Sequence, residues 1–256
     1  PMTQADKAKV LEQVDEYSSK ALRVLAIAIS CMPKMPFDEN NDDISTDDRF
    51  SACRQNLQLV GLVASIDPDR DGVPESVESA RGAGIRVVMI TGDYLKTAIA
   101  IAHNVKILQP GDNEEVSAVD CARLRPSNGE YLSHAEMDTL TSSVRVFARA
   151  KPEDKLEIVK SLQRQGAVTA MTGDGVNDAP ALNQANIGVA MGIQGTEVAK
   201  GASDMILTDD NFCSIVAAVE KGRVIYAGIQ KFVAFIMSVH IAEVLQIFFC
   251  VVAGMP

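Results

Sequence analysis

The stretch Met171-Thr172-Gly173-Asp174-Gly175-Val176-Asn177-Asp178-Ala179-Pro180-Ala181-Leu182 decides how the rest of the chain is read. It holds two carboxylates four residues apart, an amide between them and two glycines, a costly composition for a segment that only turns the chain. The apolar run Ala167 to Thr172 leads into it and has the length of a buried strand. Outward from there the arrangement recurs. Ile85 to Ile90 runs into Thr91-Gly92-Asp93, and Leu57 to Ser65 runs into Asp67-Pro68-Asp69-Arg70. A lone Thr-Gly-Asp is an ordinary turn with its Asp as a helix cap. Three such strand ends together are expected to deliver carboxylates and hydroxyls to one sheet edge.

Between these strands lie helical patterns around Glu75 to Arg81, Leu95 to Asn104, His134 to Leu140 and Pro152 to Gln165. Further strands are expected at Val144 to Arg149, Ile187 to Met191 and Asp204 to Leu207. Continuous apolar strands alternating with amphipathic helices imply a doubly wound α/β arrangement, a parallel sheet covered on both faces. In such sheets the site lies outside the carboxyl ends of the strands. The amino end reads as a charged helix (Asp6 to Lys20) and the strand Leu22 to Ile29, both resembling the tail of an element begun elsewhere. Asp38 to Asp48, six of whose eleven residues are acidic, reads as a solvated loop rather than an EF-hand, because the required Gly and terminal Glu are absent.

Composition narrows the function. Across 256 residues, 24 Lys and Arg face 34 Asp and Glu, a formal charge of −10, which disfavours nucleic acid or anionic lipid as a general partner. Five scattered cysteines without CxxC spacing argue against a disulfide framework and a structural zinc site, and read as reduced thiols.

A small hydroxyl followed by Gly exposes backbone N–H groups to an anion such as phosphate, and a helix starting just beyond adds its positive end. Carboxylates alone repel phosphate, so their clustering calls for a bridging divalent cation, Mg2+. Lys155, near the start of the helix after Pro152, is by default a solvated charge; its place after a strand makes it a candidate to neutralise phosphate.

Asp67-Pro68-Asp69-Arg70, Met89-Ile90-Thr91-Gly92-Asp93, Ala148-Arg149-Ala150-Lys151-Pro152 with Lys155, and Met171 to Leu182 occur in the order found in P-type cation-transporting ATPases, whose phosphorylation domain this chain resembles. Gly222-Arg223-Val224-Ile225-Tyr226 is similar to the stalk leading into the fifth membrane helix of the Ca2+ and Na+,K+ branch. The resemblance implies a haloacid-dehalogenase-like fold, with residues 1–56 ending a nucleotide-binding domain, 57–221 forming the phosphorylation domain and 222–256 the stalk and a transmembrane helix. It implies Mg2+ and ATP, and assigns Asp174 as a Mg2+ ligand supported by Asp178. Thr91 and Gly92 would bind the phosphoryl group, with Lys155 as its fixed positive charge and Asn177 as a further contact. Asp67 and Asp93 would belong to the network near nucleotide and metal, and Arg149 would approach the ribose. The Asp-Lys-Thr-Gly-Thr motif that carries the family's phosphorylated Asp has no counterpart in this sequence, so this stretch is not expected to autophosphorylate.

Phe232 to Ala253 contains no Lys or Arg and one Glu, and its 22 residues suffice for the ~20 a bilayer core requires. On a helix turning 100° per residue, His240, Glu243 and Gln246 fall within a sector of about 120°. An ionisable residue in mid-bilayer costs roughly 2.5 to 3.5 kcal/mol, which marks Glu243 as a functional candidate. The alternative, a buried amphipathic helix of a soluble domain, would carry a wider polar face. The resemblance places Glu243 as a ligand of the transported cation and His240 where Asn is usual. The expectation is therefore a multi-pass membrane pump with a cytoplasmic catalytic domain, whose partners are ATP, the cation, the bilayer and the remainder of its polypeptide. Ca2+ is the first reading of the ion and Na+, Na+/K+ or an H+-coupled pump the second. A soluble haloacid-dehalogenase phosphatase would need a nucleophilic Asp in this chain and no membrane segment; a free-standing nucleotide- or partner-binding module is the non-enzymatic reading.

Overall fold

The computed structural model describes residues 3–32, 34–37, 45–54, 56–66, 68–126 and 130–255. Asp67 and most of the acidic loop, residues 38–44, therefore lie outside the described residues.

The chain starts with α1 (Gln4–Ser19), whose N-terminus is closed by a reciprocal box between Thr3 and Asp6, and continues into β1 (Leu22–Ile29). After α2 (Thr46–Cys53) comes β2 (Gln58–Ile66). Here the structure corrects the sequence reading. β2 does not join the parallel sheet; it pairs antiparallel with β1 from Leu22↔Ile66 to Ile29↔Gln58. A strand's composition fixes that it is a strand, and the long-range partner is left to pairing. The boundary expected at Asn56 thus separates two strands that bond to each other.

The α/β core follows. α3 (Val73–Gly82) begins with Pro at its first turn, then come β3 (Met89–Ile90), α4 (Leu95–Asn104), the single turn α5 (Glu114–Ser117) and β4 (Ala118–Asp120). α6 (His134–Ser143), β5 (Val146–Ala148) and α7 (Pro152–Arg164) complete the first half. β3, β5 and β4 form a parallel sheet with β5 in the middle. Alternation along β5 sends Val146 and Ala148 to one face and Phe147 to the other, all fully buried. The first two pack with Val77 of α3 and Ala98 and Ala102 of α4, while Phe147 packs with Met137 of α6 and Ile158 of α7. Helices thus cover both faces, as a parallel sheet requires.

A second parallel sheet holds β6 (Ala170–Gly173), β7 (Ile187–Met191) and β8 (Met205–Leu207), with β7 central. Its short helices are α8 (Ala179–Gln184) and α9 (Glu197–Gly201), and Leu182, Ala190 and Ala199 form its core. The expected single sheet is therefore two three-stranded ones among the described residues, with β3 and β6 each bonded on one side only.

The chain ends in α10 (Phe212–Val252), 41 residues without a break, so the boundary expected between Lys221 and Gly222 falls inside a continuous helix. By length and composition it is able to cross a membrane. Phe232, Phe235, Ile247 and Phe248 along it are exposed. Its first turns lie along α3: the Cys213 thiol reaches the Asp71 carbonyl at 3.7 Å, and Arg223 donates to the Ala83 carbonyl at 3.0 Å.

Candidate phosphoryl-handling site

The residues that sequence reasoning assembled fall into two hydrogen-bonded groups joined by the amino end of α7. The first is built where β3 ends. The Thr91 N–H donates to the Phe147 carbonyl at 2.8 Å and its carbonyl accepts from Ala150 N–H at 3.0 Å, carrying the parallel ladder past the strand. The Thr91 hydroxyl donates to the Asp93 carboxylate at 2.9 Å and accepts from the Asp93 N–H at 3.1 Å, a closed turn in which both polar side chains satisfy each other. Arg149 donates its backbone N–H to the Asp93 carbonyl at 3.0 Å. Its guanidinium lies over the Tyr94 ring at 5.0 Å and 3.8 Å from the Asp120 carboxylate. Gly92 is exposed, and a Cβ there would meet nothing within 4 Å. No side chain caps α4, so the N–H groups of its first turn stay open to an anion beside this turn.

The second group is built where β6 ends. Asp178 is buried and forms an ion pair with Lys155 at 2.5 Å. Its other oxygen accepts from the Gly175 N–H at 3.3 Å. This carboxylate fills the space over Gly173, where a Cβ would sit 2.5 Å from the Asp178 Cβ. Asp174 is exposed, and its carbonyl accepts from Thr196 N–H at 2.8 Å, which ties the loop to the start of α9. Among the described residues its carboxylate enters no ion pair or hydrogen bond. Asn177 is exposed on the same loop.

The expected gathering of carboxylates is corrected here. Among the described residues no three His, Cys, Asp or Glu side chains stand close enough to hold a metal ion together. Asp67 lies outside the described residues; Arg70, just beyond β2, donates to the Asp210 carbonyl and to Gln194, after the ends of β8 and β7. Two of the three acids of the parallel strand ends are engaged, Asp93 by Thr91 and Asp178 by Lys155. That leaves Asp174. One carboxylate suits Mg2+, which keeps several waters and is held by one or two carboxylates plus substrate phosphates. Lys155 approaches with one of its three N–H donors directed at Asp178, leaving two for a further anion. No direct bond joins Thr91 to Lys155 or Asp174 among the described residues; the groups are linked through residues 148–155. Glu243 lies apart on α10, its carboxylate 3.1 Å from His240 Nδ1, which places the two on one face as the helical spacing predicts.

Asp154 is a site residue that sequence reasoning missed. It is fully buried at the first turn of α7 and accepts from the Lys151 N–H at 2.8 Å, Arg125 at 2.8 Å and the Tyr131 hydroxyl at 2.9 Å. This anchors the turn that presents Lys155. Burial, and then the hydrogen bond to Asp154, raise the Tyr131 hydroxyl above its ordinary range, and burial with Asp154 and Asp120 nearby pushes the Cys121 thiol up to about 12. That thiol is inert at neutral pH. Lys151-Pro152-Glu153-Asp154, with Pro at the first helical position and an acid at the third, carries a local signal for the cap. No local signal names Arg125 or Tyr131.

Comparison with known proteins follows the same division. The chain is 46% identical over its whole length to the P-type sodium-transporting ATPase4 of Toxoplasma gondii, of which the aligned part is 20%. It is 43% identical over 99% of its length to calcium-transporting ATPase 1 of Bacillus cereus, covering 26% of that protein. To the endoplasmic reticulum calcium ATPase srcA of Aspergillus fumigatus it is 40% identical over its whole length, again 26% of the relative. The chain thus spans between a fifth and a quarter or so of the relatives it matches. The profile of haloacid dehalogenase-like hydrolases matches residues 2–186, most of the chain, and its α/β core is the part that carries both Thr-Gly-Asp turns. The chain belongs to the haloacid dehalogenase-like hydrolase family.

Proposed function

We propose that the chain is the phosphoryl-handling part, the stalk and the fifth membrane helix of an ATP-driven cation pump that works through an aspartyl phosphate. One observation carries this over a soluble hydrolase of the same family. The family profile stops at residue 186, whereas the pump relatives align across the whole chain, α10 included. In this reading the protein is a multi-pass membrane protein and the α/β core lies in the cytoplasm. The nucleotide-side unit ends after Ile66, where the β1–β2 pair ends.

The geometry supports the following roles. Thr91 and Gly92, at the uncapped start of α4, bind the transferred phosphoryl group through backbone N–H groups and the hydroxyl. Lys155 neutralises part of its charge while Asp178 holds the ammonium in place, and Asn177 adds a contact. Asp174 holds Mg2+, which when bound offsets the negative charge of the phosphoryl oxygens. Asp93 fixes the Thr91 hydroxyl, and Arg149 with Tyr94 offers a stacking surface beside the site for the nucleotide; Asp67, outside the described residues, keeps the role the resemblance implies, in the network near nucleotide and metal. Among the described residues β3 and β6 each keep one unpaired edge. A strand from the rest of the polypeptide that paired with both would bring an acceptor Asp between the two Thr-Gly-Asp turns.

The cation ligand on this chain is Glu243. α10 rises ~1.5 Å per residue, so Arg223 and Glu243 stand about 30 Å apart along one rigid rod. Ca2+ is the transported ion in our first reading; Na+ is the second, favoured by the identity of 46% to a sodium-transporting relative. The test uses the full-length protein. Asp174→Asn is expected to abolish Mg2+-dependent phosphoenzyme, while Glu243→Gln retains phosphorylation by inorganic phosphate and weakens its suppression by the transported ion. Undiminished phosphoenzyme in the first variant, or unchanged ion affinity in the second, would remove that residue from its role.

A further inference from the structure

The edge of the core opposite the Thr-Gly-Asp turns carries a cavity of about 330 Å³. It is lined by Val77, Arg81, Gly84, Arg86, Lys106 and Arg145 among others, four cations in a chain whose formal charge is −10. Two of them are neutralised: Lys106 pairs with Glu78 at 2.9 Å and Arg145 with Asp112 at 2.7 Å. The other two form no ion pair among the described residues, although the Arg81 charge also acts on the Glu78 carboxylate. Arg81 makes one bond, to the Lys106 carbonyl at 3.3 Å, and Arg86 bonds the carbonyls of Thr141 and Val144, both at 2.5 Å. Among the described residues neither guanidinium meets a carboxylate. Partial burial, and then the charge of Arg145, lower the Arg86 guanidinium below its ordinary range.

The cavity also has a definite place relative to the membrane helix. α10 begins beside Asp71 at the start of α3 and passes Ala83 at its end, so it runs from the site edge of the core to the cavity edge. Beyond Arg223 it reaches the apolar stretch at Phe232 after nine residues, about 14 Å. The headgroup layer outside the hydrocarbon is about 5 to 7 Å thick. A ring-borne phosphate projecting from that layer comes within reach of the cavity mouth.

We propose that this cavity is a binding site for a phosphate monoester, with Arg81 and Arg86 as its paired guanidinium donors. A guanidinium fork matches phosphate oxygens two at a time, and phosphate is the anion that the membrane surface supplies at this height. The same chemistry could arrive on a soluble phosphate ester. The proposal rests on the membrane reading of α10 only for the choice between those sources.

The test uses the full-length protein in phosphatidylcholine vesicles with increasing amounts of a dye-labelled phosphatidylinositol monophosphate, binding being read by energy transfer to a label on the protein. Saturable transfer is expected, weakened about tenfold in Arg81→Gln, the loss of one charge-assisted contact. Arg81 is exposed with a single long bond, so this variant folds. Arg86→Lys, which keeps the charge and loses the fork, is expected to weaken binding less. Competition by a soluble inositol bisphosphate at equal strength assigns the soluble source and keeps the site. Protein that binds inositol bisphosphate through Arg81 but does not enter vesicles also keeps the site and overturns the membrane reading instead. Absence of saturable binding of either probe, or binding unchanged in both variants, overturns the site.

Discussion

Thr91-Gly92-Asp93 and Thr172-Gly173-Asp174 are the same tripeptide at the ends of two parallel strands, and their glycines are there for different reasons. At the first turn a Cβ on Gly92 would enter open space, while the Thr91 hydroxyl and the Asp93 carboxylate are occupied with each other. At the second turn the glycine is enclosed, since Asp178 stands where its Cβ would go, and the Asp174 carboxylate is exposed. The first turn therefore spends its side chains on its own shape and presents backbone; the second spends its backbone on packing and presents a side chain. A phosphoryl anion needs the former and a cation the latter, so the tripeptide alone does not assign a role. The residue four positions after the second Asp does.

Gly173→Ala breaks the comparison most severely. A Cβ at 2.5 Å from the Asp178 Cβ is closer than real side chains come, so the loop must shift. Overpacking of this kind is expected to lower stability by roughly 2–3 kcal/mol, read by denaturant unfolding of the full-length protein, with phosphoenzyme lost in parallel. Asp178→Gly removes the obstructing atoms. Combined with Gly173→Ala it is expected to cost less than the two single changes added together, and simple additivity would show that the clash is relieved some other way.

Asp178→Asn sharpens the same contrast at smaller cost. The shape is kept, but Lys155 loses its counter-charge; Asp178 is 8% exposed and Lys155 21%. A loss of about 1–3 kcal/mol is expected, the lower end if water reaches the ammonium. The corresponding change at the first turn, Asp93→Asn, makes the bond from the Thr91 hydroxyl neutral instead of charge-assisted and is expected to cost about 0.5–1 kcal/mol. Equal losses at the two turns would mean that the Lys155 pair contributes nothing beyond a charge-assisted hydrogen bond to a hydroxyl.

What the sequence made legible follows the physical range of the forces involved. β1, α4 and β7 have the limits their apolar patterns predict, Leu22–Ile29, Leu95–Asn104 and Ile187–Met191, because periodicity is local. β3 is only Met89–Ile90 where Ile85 to Ile90 is expected: the apolar run is longer than the stretch that finds a partner, since the ladder starts where Met89 meets the Arg145 carbonyl. β4 escapes pattern reading because three residues give no period. The pairing of β2 with β1 and of Lys155 with Asp178 across 23 residues are tertiary facts. The apolar side chains of Leu25, Ile27, Val60 and Val63 stand exposed on the β1–β2 pair, unlike the enclosed β5, so alternation there gave the strands without their surroundings.

Gly92→Ala is the mildest change and the most discriminating one. With nothing within 4 Å of the added methyl and no positive backbone φ at this position, folding has no reason to suffer. Stability is expected to stay within about 0.5 kcal/mol of the parent. Yet if backbone N–H groups here receive the phosphoryl oxygens, the methyl stands in the approach path, and phosphoenzyme formation should fall by about tenfold or more. The two readouts must separate. Phosphoenzyme undiminished in a stably folded Gly92→Ala would mean that the open space over this turn is not where the phosphoryl group sits. The assignment would then pass to the N–H groups of the Gly173–Gly175 loop, where Lys155 already provides the charge.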